Sequence, residues 1–178
     1  MQTPPEFLAH AAVTLRRWRT ADAELCLGLT TESLAHLRPW MAWATSDYAL
    51  ADARDYLSGC ETGWAAGTAF QYLVLESGIP AGSAGLMGRI GPGGLEIGYW
   101  VHPDHTSKGV ATAAAAALTD AALTLPGVDR VEIHHDELNR ASERVPVKLG
   151  YRYIGTCASR FDRAPAESGR CKVWRITR

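Results

Sequence analysis

The sequence has no C-x-x-C pair, and its four cysteines, Cys26, Cys60, Cys157 and Cys171, fall in no zinc-ligand pattern. That excludes the common structural zinc modules and leaves reduced thiols as the reading. No G-x-x-x-x-G-K-[S/T] occurs, so a P-loop nucleotidase is excluded as well. No apolar run reaches membrane-spanning length, and the opening MQTPPEFLAH carries no basic-then-apolar secretion signal. Charge of one sign is missing too. A net charge of −1 supplies no general field to gather nucleic acid or an anionic membrane. Together these absences predict a cytoplasmic protein with no metal, no membrane and no nucleic-acid partner.

What is present is ordinary for a globular chain: 178 residues, 47% hydrophobic and 21% charged, without repeats or low-complexity segments. The length predicts one domain over residues 1–178, with residues 1–12 as a loose, proline-bearing extension. Val13–Arg19 alternates in part and reads as a first strand. Thr20-Ala21-Asp22 caps a helix to about Leu29, and a second, short helix ends at Pro39. Ala51–Trp64 reads as a helix stopped by Gly67. Three strands follow, Ala69–Glu76, Ala81–Ile90 and Leu95–Val101, separated by glycine- and proline-bearing turns. After a long helix come a strand at Val128–His135, a helix at Asn139–Leu149 ending at Gly150, and two strands at Tyr151–Phe161 and Gly169–Thr177. Strands first, a βαβ unit in the middle and a closing hairpin predict an α+β domain with a mixed sheet.

The centre of the chain is Leu95–Leu125. Leu95, Ile97, Tyr99 and Val101 share one face of a strand, and Val110, Ala114, Ala117, Ala121 and Leu125 form one apolar stripe of a helix. Between them lies the polar turn HPDHTSKG. The N–H groups of such a turn and of the first helical turn lack intrahelical partners and form a positively polarised cradle suited to phosphate.

Thr106-Ser107-Lys108-Gly109-Val110-Ala111 resembles the pyrophosphate-binding turn Gln/Arg-x-x-Gly-x-Gly/Ala of the GNAT superfamily of acyl-CoA-dependent N-acyltransferases. Gly109 and Ala111 match, while Thr106 departs from the usual long polar residue. Asn139–Gly155 (NRASERVPVKLGYRYIG) resembles the Asn-x-x-Ser…Lys-Leu-Gly-Tyr/Phe segment of the RimJ/RimL-like branch. That branch acetylates the N-terminal α-amine of ribosomal proteins or related amines. LRRW, HLRPWMAWA and EIGYWVHP, in the same order, extend the resemblance from about Val13 to Thr177. It implies a mixed, mostly antiparallel sheet of six to seven strands with flanking helices, and acetyl-CoA as the acyl-donor cosubstrate. The acceptor it implies is an amine, either a protein N-terminus or an aminoacyl-type small molecule. Relatives are often dimers, so a homodimer is among its implications.

Site residues follow from the same resemblance. The amides around Ser107, Lys108, Gly109, Val110, Ala111 and Thr112 face the pyrophosphate, with Thr106 at the start of the turn and Lys108 as a screening charge. The pantetheine extends along Tyr99, Trp100 and Val101, and the Val101 N–H bonds the thioester carbonyl. Losing such a donor costs about 3 kcal/mol. Ser142 is the general acid for the leaving thiolate, or a first-turn serine satisfying backbone. Asn139 bonds the pantetheine, or is a plain helix N-cap. Pro146 frees the Ser142 carbonyl, because it has no N–H to donate four residues back.

Glu96 is the candidate base, with a surface-facing strand glutamate as the alternative and Asp162 as a loose second candidate. Trp40, Trp43, Tyr48 and Trp64 fall in the helical region that, by the resemblance, walls the acceptor cleft, with plain core residues as the alternative, and Trp100 alternates to the side of Glu96. His134 and His135, adjacent on a strand, point to opposite faces and are poorly placed to share a metal. Three other readings stay open: a detoxifying acetyltransferase of an antibiotic or nucleotide-like toxin, a succinyl-CoA-type acyltransferase, and a non-catalytic CoA-binding module.

Overall fold

In the computed structural model, which describes residues 2–178, eight strands form one mixed sheet in the order β1-β2-β3-β4-β5-β6-β8-β7. The strands are β1 (Phe7–His10), β2 (Val13–Arg17), β3 (Ala69–Glu76), β4 (Ile79–Met87), β5 (Gly94–Val101), β6 (Arg130–Asp136), β7 (Arg152–Ala158) and β8 (Arg170–Thr177). The helices are α1 (Ala23–Leu37), α2 (Leu50–Ala66), α3 (Val110–Thr124) and α4 (Arg140–Lys148). Every described pairing is antiparallel except β5 with β6, which α3 joins as a crossover. This is the α+β fold expected of the chain, with eight strands in place of six to seven.

The extra strand lies in the segment expected to be loose. Residues 7–10 pair with β2, and the β1–β2 turn is closed by Ala11 in a left-handed conformation (φ 53°). The sequence FLAH is too short for periodicity to reveal it. A second correction concerns α1, which runs unbroken where two helices were expected. Thr30 and Thr31 look like a break, yet the Thr31 hydroxyl bonds back to the Leu27 and Gly28 carbonyls. A hydroxyl that returns its hydrogen bond to the preceding turn is tolerated inside a helix.

The sheet separates two environments. On one face Leu95, Ile97, Val131 and Ile133 pack against the alanine stripe of α3, where Val110, Ala114, Ala117 and Ala121 are all buried. Small side chains let this helix lie close to the strands. On the other face α1 and α2 cover only the β2–β4 side, around Trp18, Leu29, Leu57 and Leu73. Toward β6 and β8 that face carries charged side chains instead, among them Glu132 and Arg175. One further feature sets up the site: β5 and β6 pair only from Gly94↔Arg130 to Ile97↔Ile133 and then separate.

Candidate active site

Beyond Ile97 the main chain of β5 has a sheet partner on one side alone. His102 N–H donates to the Ala81 carbonyl (2.8 Å), and the register continues through Gly82↔Val101 and Ala84↔Tyr99. In an antiparallel ladder the bonds alternate, so Tyr99 and Val101 direct their N–H and C=O groups away from β4, into the gap left by β6. An extended chain can add itself to such an edge.

The second half of the site is the turn before α3. Ser107 (φ 61°) and Gly109 (φ 85°) are both left-handed, and the first helical bond there runs from Ala113 N–H to Gly109 C=O. Among the described residues, the six N–H groups from Ser107 to Thr112 have no acceptor in the protein. Alternation of right- and left-handed residues turns successive amides to one side, which makes an anion-binding nest. The Thr106 hydroxyl is spent inside the turn, donating to the Pro103 carbonyl (2.8 Å).

Both halves open into one cavity of about 990 Å³. Tyr99, Trp100, Val101, Thr106, Ser107, Gly109, Val110, Ala111, Thr112, Asn139 and Ser142 line it, and so do Glu96, Trp40, Trp43 and Tyr48. Two expected members are elsewhere. Lys108 does not line the cavity; its side chain is exposed and its ammonium is 4.0 Å from Glu76. Trp64 is core, packed edge-on against Phe70 and Tyr72. Cations do reach the cavity from α4, where Arg144 and Lys148, one turn apart, both line it. Their i, i+4 spacing just after Asn139 was the signal available in the sequence.

Ser142 sits at the start of α4. Asn139 is the N-cap, its Oδ1 accepting from Ser142 N–H (3.0 Å), so the cap reading describes this oxygen and leaves the amide nitrogen free to donate. The Ser142 hydroxyl is 2.9 Å from the Tyr99 hydroxyl, which donates to the Ser142 carbonyl at 3.1 Å. That carbonyl is the one Pro146 leaves without its helical donor, and a tyrosine 43 residues earlier supplies the bond. With the Tyr99 proton directed there, the Ser142 Oγ–H is left to donate toward Tyr99 or a ligand. Burial raises the Tyr99 phenol above its ordinary pKa, so it stays protonated.

Glu96 lies on the opposite face and is 2% exposed, which overturns the surface-glutamate alternative. Arg89 Nε (3.0 Å) and Arg160 Nη2 (3.4 Å) hold its carboxylate, and Arg89 in turn stacks over the Phe161 ring at 4.5 Å. Asp162 is exposed and does not line the cavity. Next to Glu96 on the same face, His134 lines the cavity with its Nε2 2.6 Å from Glu132. Arg175 Nε donates to the other Glu132 oxygen at 2.8 Å. Burial pushes the Glu132 carboxyl up, but the hydrogen bonds from His134 and Arg175 outweigh it and hold the group below its ordinary value. His135 points the other way, accepting from Trp174 Nε1 (3.0 Å). No cluster of three metal-ligating side chains occurs among the described residues.

A parallel strand pair that opens beside a helix-start amide nest is an architecture for holding an extended, phosphate-bearing ligand. The chain belongs to the acetyltransferase (GNAT) domain family, whose model matches residues 12–152. No curated protein is matched by the sequence. Solved structures share the fold at low identity. A RimL ribosomal L7/L12 α-N-protein acetyltransferase in complex with coenzyme A is 18% identical over 97% of this chain and 98% of that one, with a TM-score of 0.87. RimJ of Mycobacterium smegmatis in complex with CoA-disulfide is 24% identical over 96% and 85%, at 0.83. The microcin C7 self-immunity acetyltransferase MccE, in complex with acetyl-CoA and AMP, is 17% identical over 93% and 92%, also at 0.83.

Proposed function

We propose that this GNAT acetyltransferase transfers an acetyl group from acetyl-CoA to an α-amine, at a protein N-terminus or on an aminoacyl-type small molecule. One observation carries the reading: the unpartnered amides of Ser107 and of Gly109–Thr112, the open edge at Tyr99 and Val101, and Ser142 all border one cavity. This set fits the cosubstrate. Acetyl-CoA, when bound, supplies an activated acyl thioester. The amide nest, with Arg144 and Lys148, would hold its diphosphate, the β5 edge its amide-bearing arm, and Val101 N–H its carbonyl. Ser142 would deliver the proton that the departing sulfur needs, with Tyr99 fixing the hydroxyl. A thiol of ordinary pKa about 8.5 is a modest leaving group, so one positioned donor suffices.

The preference for an α-amine follows from the cost of deprotonation. An α-amine has a pKa near 8 and a lysine amine about 10.4, a difference of roughly 3 kcal/mol in reaching the neutral form. Glu96, the first candidate base, is taken up by two guanidinium groups, and Asp162 lies outside the cavity. A site so furnished suits the amine that is easier to deprotonate.

The test is purified protein with acetyl-CoA or succinyl-CoA and three acceptors: peptides with a free α-amine, the same peptides blocked there but carrying lysine, and an aminoacyl nucleotide. Free-thiol release that depends on the α-amine and on the acetyl donor supports the proposal. Release with the lysine peptide alone, or CoA binding without turnover of any amine, overturns it.

A further inference from the structure

We propose that His134 is the general base that deprotonates the acceptor amine, with Glu132 as the residue that positions it. The inference rests on the amine-acetyltransferase reading and deepens it.

His134 is the first residue of β6 past the last paired position, Ile97↔Ile133, so it stands where the two strands begin to part. Gly98 stands across the opening, and the Met87 methyl takes the place its side chain would occupy. The ring is on the face of Glu96, Glu132 and Trp100, opposite to the face that carries Tyr99 and Ser142. Proton acceptor and proton donor therefore flank the opening from its two sides.

The tautomer follows from the neighbours. Glu132 is held ionised by Arg175 and is then an acceptor alone, so the His134 Nε2 at 2.6 Å must carry the proton. In the neutral ring the free electron pair is on Nδ1. No group of the described protein hydrogen-bonds Nδ1; the nearest carboxylate, Glu96, is 3.8 Å away and engaged by Arg89 and Arg160. A carboxylate–imidazole pair whose far nitrogen has no hydrogen-bond partner, on a ring that lines a cavity, is the arrangement a general base requires. Imidazole is also the side chain that changes charge nearest neutrality. The carboxylates at the ring are Glu96 from β5 and Glu132 from β6, and the cations on those carboxylates are Arg130 from β6, Arg175 from β8, and Arg89 and Arg160 from the adjoining loops.

His134 Nδ1 takes one proton from the acceptor ammonium, directly or through one water, and releases it to solvent. The freed nitrogen pair forms the amide C–N bond while the thioester C–S bond breaks with its electron pair to sulfur. Ser142 gives its hydroxyl proton to sulfur and regains one from the nitrogen, which leaves amide and thiol.

The test is His134→Gln and Glu132→Gln, measured with an acceptor that the wild type uses. His134→Gln should lower kcat/KM by about 10²- to 10³-fold. It should also abolish the ascending limb of the pH profile that the imidazole contributes and leave the acetyl-CoA Kd within twofold. Exogenous imidazole should restore part of the rate to His134→Ala. Glu132→Gln should shift that limb and lower kcat by about tenfold without removing it. A His134→Gln enzyme that keeps the wild-type rate and the limb, with its fold intact by circular dichroism, overturns the base alone. Wild-type protein that binds acetyl-CoA yet acetylates no amine overturns the functional reading, and the base with it.

Discussion

Ser142, Tyr99 and Pro146 form a unit in which each residue explains another. The proline removes a helical donor, the phenol replaces it, and the same phenol fixes the serine hydroxyl beside the cavity. Tyr99→Phe should cost about 1–2 kcal/mol, because it leaves the Ser142 carbonyl unpaired. In a Pro146→Ala background the new N–H at position 146 takes over that carbonyl, so the same change should cost roughly 1 kcal/mol less. Urea denaturation of the four proteins in a double-mutant cycle measures this coupling. Ser142→Ala should lower kcat about 100-fold with the CoA affinity unchanged, and equal kcat would move the proton donor elsewhere. The Asn-x-x-Ser spacing announced the cap and the serine together. The partnership with Tyr99 was not legible, because the two residues are 43 apart and meet through the packing of a helix on a strand.

At the scale of the element, the proposed anion cradle at the start of α3 depends on the conformation of one residue. Gly109 is left-handed with no atom within 4 Å of where a Cβ would stand, so it is required for its backbone angle and not for space. Gly109→Ala should destabilise by about 1 kcal/mol and bind CoA nearly as the wild type does. Gly109→Glu should add like-charge repulsion and weaken CoA binding at least tenfold beyond Gly109→Ala. Isothermal titration of both variants separates strain from electrostatics, and equal affinities would count against the cradle. The boundaries of β3, α2 and α3 could be read closely, since hydrophobic period and glycine punctuation are local signals. The strand β1 and the unbroken α1 could not, because pairing with β2 and the back-bonding of Thr31 act where propensity points the other way.

Across the whole molecule, carboxylates fixed by partners make stability depend on acid. Hydrogen bonds from Lys172 and then Arg140 hold the Glu143 carboxyl down to about 2 from an ordinary 4.5, joining α4 to β8. At Asp136, burial pushes the carboxyl up, but the N–H groups of Leu138, Ser168 and Gly169 more than offset it. Groups whose folded pKa is depressed contribute stability that is fully present above the unfolded value and lost as they protonate. Tm should therefore be flat near neutrality, fall as pH drops below about 4.5, and keep falling toward 2. Glu143→Gln should flatten part of that fall. Scanning calorimetry between pH 7 and pH 3 checks both, and an unchanged acid slope would remove Glu143 from the account.

The sequence by itself determined most of the elements, though not β1 or the unbroken α1, together with the α+β class, the amide-rich turn before α3 and most of the cavity lining. Those depend on neighbours within a few residues: period, caps, and glycine where a left-handed angle is needed. Tertiary structure alone decided which groups can do chemistry. It buried Glu96 between two arginines, turned Lys108 away and tied Tyr99 to Ser142. It also stood His134 against Glu132 where β5 and β6 part. A proton's position depends on which charges lie within a few ångströms, and the strands that bring those charges together are remote from one another along the chain.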